Sequence, residues 1–167
     1  MKLRSLAIIA AVFAFTMNAY SETVHQTQKG EAGCLDGGKS AVEGKVIETK
    51  ELAGAESGKV ARTLGSLSQW GFVSYWFGIP TPAGKATLRF RIYVDGESSS
   101  HSIYLYGENG QADLAPLNIP ADAKQKSFVN IDIPVDSAKE WSGIAVKKTE
   151  KSDKPGPWID SIKVILP

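Results

Sequence analysis

The sequence runs to 167 residues and 17.9 kDa, with 19 basic and 18 acidic residues, 16 glycines, 8 prolines and a single cysteine. That length suits one domain, and a formal charge of +1 provides no basic surface of the kind that holds nucleic acid. One cysteine makes neither an intramolecular disulfide nor a multi-cysteine zinc site, so the fold must rest on packing.

Residues 1–21 read as a secretory leader. Lys2 and Arg4 give a positive start, residues 6–17 are apolar apart from Thr16, and Ala19-Tyr20-Ser21 places small residues at both flanking positions of a cleavage site. A membrane anchor takes about 18 or more apolar residues, and this run is shorter. The expectation is a secreted or periplasmic protein that starts at Glu22, with no membrane attachment once the leader is removed. Ala32-Gly33-Cys34 looks like the end of a lipidation box, but residues 22–31 are largely polar and Glu31 stands where such a box carries an aliphatic residue. Cys34 reads as an inert lone thiol, with pairing to a second chain as the alternative.

Residues 22–41 hold few sizeable apolar side chains and several glycines, the composition of a flexible lead-in. The domain is expected over residues 42–167. Weak strand patterns occupy residues 45–49 and 59–64. Residues 72–79 are apolar on both faces, as for a central strand or one side of a binding groove. The most regular alternation comes next: Leu88, Phe90, Ile92 and Val94 share one face, and Thr87, Arg89, Arg91 and Tyr93 the other. Asp95-Gly96 ends that strand. Ile103 and Leu105 then point inward and Tyr104 and Tyr106 outward. Val129, Ile131 and Ile133 form the next apolar face, followed by Ile144 and Val146, and finally Ile162, Val164 and Leu166. About eight strands with Gly/Pro turns and no helical stripe predict an all-β antiparallel sandwich.

Two segments carry a resemblance. The stretch Val73-Ser74-Tyr75-Trp76-Phe77-Gly78-Ile79-Pro80-Thr81-Pro82-Ala83-Gly84, leading into the Arg89–Arg91 strand, resembles the strand–loop–strand of galactose-binding-like jelly rolls, as in family 6 and family 35 carbohydrate-binding modules. The terminal Trp158-Ile159-Asp160-Ser161-Ile162-Lys163-Val164 is similar to the last strand of those modules. Ser161 stands where the family often has an aromatic residue, and Trp158 replaces its usual asparagine. The resemblance implies that the sandwich is of jelly-roll type and is a non-catalytic domain that binds a polysaccharide or other glycan. It also implies a structural calcium, with Glu48 and Asp160 at the matching positions.

Catalytic machinery is hard to assemble from the residues themselves. His25 lies in the lead-in, His101 follows Ser98-Ser99-Ser100 in what reads as a solvated hairpin loop, and Cys34 has no activating neighbour. Aromatic side chains are the better lead, because sugar rings pack their C–H faces on aromatic rings while polar neighbours take the hydroxyls. Trp70, in polar surroundings, and Trp158, behind Pro155-Gly156-Pro157, read as loop-mounted platforms, whereas Trp76 reads as core. Tyr93, Tyr104, Tyr106 and Arg91, opposite the aliphatic face, would make a second platform if their strands pair. The competing reading is a structural or adhesive exported sandwich that binds another protein through an apolar patch or an unpaired edge strand.

Overall fold

The structure is a computed structural model that describes residues 22–35, 38–107 and 110–167. The leader expected at residues 1–21 lies outside the described residues. Among the described residues the strands are β1 (Thr23–Lys29), β2 (Ile47–Glu51), β3 (Lys59–Thr63), β4 (Phe72–Thr81), β5 (Gly84–Val94), β6 (His101–Gly107), β7 (Gly110–Pro116), β8 (Ser127–Ser137), β9 (Trp141–Lys148) and β10 (Trp158–Leu166). One short 3-10 turn, Gly30–Ala32, follows β1.

These strands build two sheets, both antiparallel. The larger has the order β2-β3-β10-β5-β8, with β1 also paired to β10; the smaller has the order β4-β9-β6-β7. Strands β1 and β3 share one edge of β10, β1 along Ser161–Leu166 and β3 at Ile159. Gly30 sits where they meet, and a β-carbon there would stand 2.0 Å from the Ile159 carbonyl oxygen. Only glycine fits so close an approach.

The core lies between the sheets. Leu88, Phe90 and Ile92 of β5, with Ile162 and Val164 of β10, face Val73, Tyr75 and Phe77 of β4 and Ile103, Ile144 and Val146 of β6 and β9. The alternation read from the sequence is therefore the alternation of burial, since successive side chains of a strand take opposite faces. Phe77 and Trp141 meet edge to face, with centroids 5.8 Å apart.

Several local expectations need correction. The polar segment read as a flexible lead-in contains β1. Its side chains bury little, so no apolar pattern announces it. It is held instead by backbone pairing to β10 and by glutamine side chains that reach across to the rim of β4. Gln26 donates to the Ile79 carbonyl and accepts from the Ile79 N–H, and Gln28 donates to the Trp76 carbonyl. Residues 72–79 form an edge strand, not a central one; Val73, Tyr75 and Phe77 are buried, while Trp76 on the other face is open. Strands β5 and β6 do not pair: the chain crosses from one sheet to the other after Val94. His101 is buried at 1% exposure, not solvated, because it lies on the inward side of β6 with Ile103.

Candidate functional site

The outward side of the four-stranded sheet follows from its register. Trp76 of β4, Gly143 of β9 and Tyr106 of β6 lie in one row; Ser74, Ala145 and Tyr104 lie in the next; Phe72, Lys147 and Ser102 lie in the third. Small residues at 143 and 145 leave the middle of the face low, and the aromatic side chains on either strand lean over it. A β-carbon at position 143 would come within 2.6 Å of the Trp76 ring. Trp76 and Tyr106 stack there with centroids 4.9 Å apart and planes 14° from parallel. The Ser74 and Tyr106 hydroxyls hydrogen bond at 3.1 Å. Trp76 remains 47% exposed. The sequence reading of Trp76 as core is thus wrong: its neighbours Tyr75 and Phe77 take the inward face.

The aromatic row continues toward one end of the sandwich. Tyr104 lies two residues before Tyr106, about 6.6 Å along the strand. Lys147 donates to the Tyr104 hydroxyl at 3.1 Å, and its ammonium stands 4.5 Å from the Tyr104 ring and 5.0 Å from the Trp70 ring. A cation between two ring faces fixes both. Trp70 is 56% exposed and carries a positive φ of 71°. That backbone state costs on the order of 1–3 kcal/mol for a residue with a side chain and persists only where surroundings impose it. Here the Trp70 N–H donates to the Lys148 carbonyl at 2.9 Å, and the Lys148 N–H donates to the Gly71 carbonyl at 2.9 Å. Beside the ring, segments 65–70 and 151–153 enclose a groove of about 650 Å³ lined by Ser66, Ser68, Gln69, Ser152 and Asp153. Trp70, Tyr104 and Tyr106 are the site residues expected from sequence that the structure brings together.

The others lie on the far side of the sandwich. Trp158 is the first residue of β10 and only 6% exposed. Its ring is covered by Arg62 at 4.2 Å and Lys50 at 4.6 Å, so it offers no open face. Tyr93, its partner across the strands, leans on Phe128 and lies under Lys50. The expected single face of Tyr93 with Tyr104 and Tyr106 is therefore split between the two outer faces, because β5 and β6 belong to different sheets.

Arg91 and Asp160 belong to that far face too. A bulge between Ile159 and Ser161 turns Asp160 toward Arg91, which donates to its carboxylate while lying 3.8 Å over the Phe128 ring. Asp160 is fully buried and also accepts from the Glu56 N–H at 2.9 Å. Glu48 pairs with Arg62 at 2.6 Å. Calcium takes six to eight oxygen ligands, whereas each of these carboxylates already faces a guanidinium. Among the described residues no group of three or more His, Cys, Asp or Glu side chains is placed to hold a metal. Glu48 and Asp160 do not fit a calcium ion.

Comparison with solved structures shows which known domains share this architecture. A family 35 carbohydrate-binding module from Clostridium thermocellum superposes with a TM-score of 0.61 at 14% identity, covering 85% of this chain and 99% of that one. A carbohydrate-binding module from Cellvibrio mixtus lichenase 5A, solved with cellotriose, gives 0.57 at 17% identity, covering 87% and 99%. The fold is that of the family 6 and family 35 carbohydrate-binding modules. An exo-β-1,3-galactanase from Phanerochaete chrysosporium, in complex with β-1,3-galactotriose, matches at 0.54 and 12% identity over 85% of this chain. This chain spans only 29% of that enzyme's length. No protein-family model matches the sequence, and no curated protein matches it.

Proposed function

We propose that this protein is a non-catalytic glycan-binding module that lays a saccharide along the outer face of the four-stranded sheet, from the Trp76–Tyr106 stack toward Trp70. The observation that carries the reading is the half-open Trp76 ring, stacked on Tyr106 above Gly143 on an otherwise ordinary sheet face. Burying a tryptophan is the default because its area is large. Leaving two on one side of a small domain, with Tyr104 and Tyr106 beside them and the Ser66, Ser68 and Ser152 groove next to Trp70, supplies apolar platforms and polar partners for a saccharide. The solved modules of the same fold, one of them holding cellotriose, point the same way.

A glycan array probed with the protein, followed by calorimetry on the best saccharide, tests this reading. Trp76→Ala is expected to lower affinity at least tenfold with the thermal midpoint nearly unchanged. Retention of full affinity in both Trp76→Ala and Trp70→Ala would remove the face from consideration.

A further inference from the structure

The inward side of β9 runs Ile144, Val146 and then Lys148, so an apolar face ends in a charge. Lys148 is fully buried. Burial of a charge is tolerated only where hydrogen bonds replace its water, and an ammonium has three protons to place. All three find backbone carbonyls: Gly65 at 2.9 Å, Ser152 at 2.5 Å and Lys154 at 3.3 Å. These carbonyls come from two separate connections, β3 to β4 and β9 to β10. They are the two loops that enclose the groove beside Trp70.

The same residue holds the other end of the loop by its main chain, through the Trp70 N–H and the Gly71 carbonyl. Gly65 rests directly on the second loop, where a β-carbon would meet the Asp153 oxygen at 1.9 Å. Its cross-strand neighbour His101 completes the plug, bonded to Thr63 at 3.1 Å and to the Ser99 carbonyl at 2.9 Å. A single ammonium is thus where both loops converge.

We propose that Lys148 is the positioning residue of the Trp70 end of the site: a built-in cation that clamps the two rim loops through their carbonyls and so fixes where the Trp70 ring stands. The role in binding rests on the glycan reading above; the clamp itself does not. Removing the ammonium takes their shared donor from the Gly65, Ser152 and Lys154 carbonyls, and the positive φ of Trp70 then has less to impose it.

Lys148→Met and Lys148→Arg separate the two levels. Amide hydrogen exchange on the methionine variant is expected to quicken at least tenfold within residues 65–71 and 150–156, while β5 and β10 keep their protection. Affinity for the array's best saccharide is expected to fall at least tenfold in Lys148→Met and to recover in part in Lys148→Arg. The loss should vanish on a Trp70→Ala background and persist on a Trp76→Ala background, a pattern that general destabilisation does not produce. Unchanged exchange in the two loops, or a uniform loss of protection across all strands, would overturn the clamp. An equal affinity penalty with and without Trp70 would overturn the positioning role. If the methionine variant does not fold, Lys148→Gln, which retains one donor pair, is read in the same way. Should the wild-type protein bind no saccharide, the glycan reading fails while the exchange experiment still decides the clamp.

Discussion

The indole of Trp76 occupies the space above Gly143: a β-carbon added there would lie 2.6 Å from its Cε3 and 3.0 Å from its Cζ3. The open platform thus depends on a residue with no side chain in the neighbouring strand. Gly143→Ala is expected to push Trp76 off Tyr106, and near-ultraviolet circular dichroism should report loss of the stacked pair. Saccharide affinity should fall with it. An unchanged aromatic spectrum in the alanine variant would mean that the ring tolerates the methyl group and that Gly143 does not shape the face.

The register of β5 is tested by adjacent residues. Phe90 is fully buried between the sheets, so Phe90→Ala should cost about 3–5 kcal/mol. Arg89 is outward and bonded to Asp132 at 2.7 Å and Glu22 at 3.0 Å. Such partly exposed pairs contribute little, and Arg89→Ala should cost at most about 1 kcal/mol. Denaturant midpoints of the two variants check this; equal losses would contradict the observed faces.

On the opposite outer face, Arg91 does what a metal would otherwise do for Asp160. Thermal midpoints with chelator and with added calcium should therefore coincide. Arg91→Ala leaves a buried carboxylate with the Glu56 N–H alone and should destabilise by about 3 kcal/mol, the low end for a broken buried pair because Arg91 is itself a quarter exposed. A calcium-dependent rise in the wild-type midpoint would contradict this account.

His101 gives the fold a pH dependence with a fixed sign. Burial holds its pKa below the ordinary 6.5, the hydrogen bond to the Ser99 carbonyl opposes that shift, and the nearby Lys148 charge adds to it. The folded ring therefore stays neutral to lower pH than the unfolded one, which takes up a proton as pH falls below 6.5. Stability linked to this group is complete above that pH and is lost as pH falls through the depressed folded value. Urea midpoints should drop between pH 7.5 and 5.5 for the wild type and much less for His101→Gln. Identical slopes in the two proteins would assign the dependence to other groups.

What the sequence made legible follows from where apolar burial is periodic. Leu88 to Val94 alternates without a fault, so its strand and its faces were readable residue by residue. Tyr104 and Tyr106 could be placed outward for the same reason. Strand β1 was not readable because Gln26 and Gln28 hold it through amide contacts to β4, which leave no hydrophobic period. Trp76 was misplaced because residues 72–79 are apolar on both sides; the signal that could have corrected it is the pair Gly143 and Ala145, which makes the facing strand too small to bury a ring. Trp158 was misplaced because the cations that cover it, Lys50 and Arg62, come from strands more than ninety residues earlier, beyond any local pattern. The alternation of Ile144 and Val146 places Lys148 on the inward face, but nothing in the sequence showed what would hold its charge there, since its three carbonyl partners belong to the backbone.

The central claim is that a saccharide lies along the Trp76, Tyr106, Tyr104 and Trp70 face. An amide and indole heteronuclear NMR titration with the best saccharide from the array tests it most directly. The account predicts that the Trp76 and Trp70 indole signals and the backbone amides of residues 102–106 and 143–147 shift together with one dissociation constant, while the Trp158 indole stays still. Shifts confined to Trp158, Tyr93 and the Arg89–Arg91 side of the sandwich would place the ligand on the other sheet and contradict it.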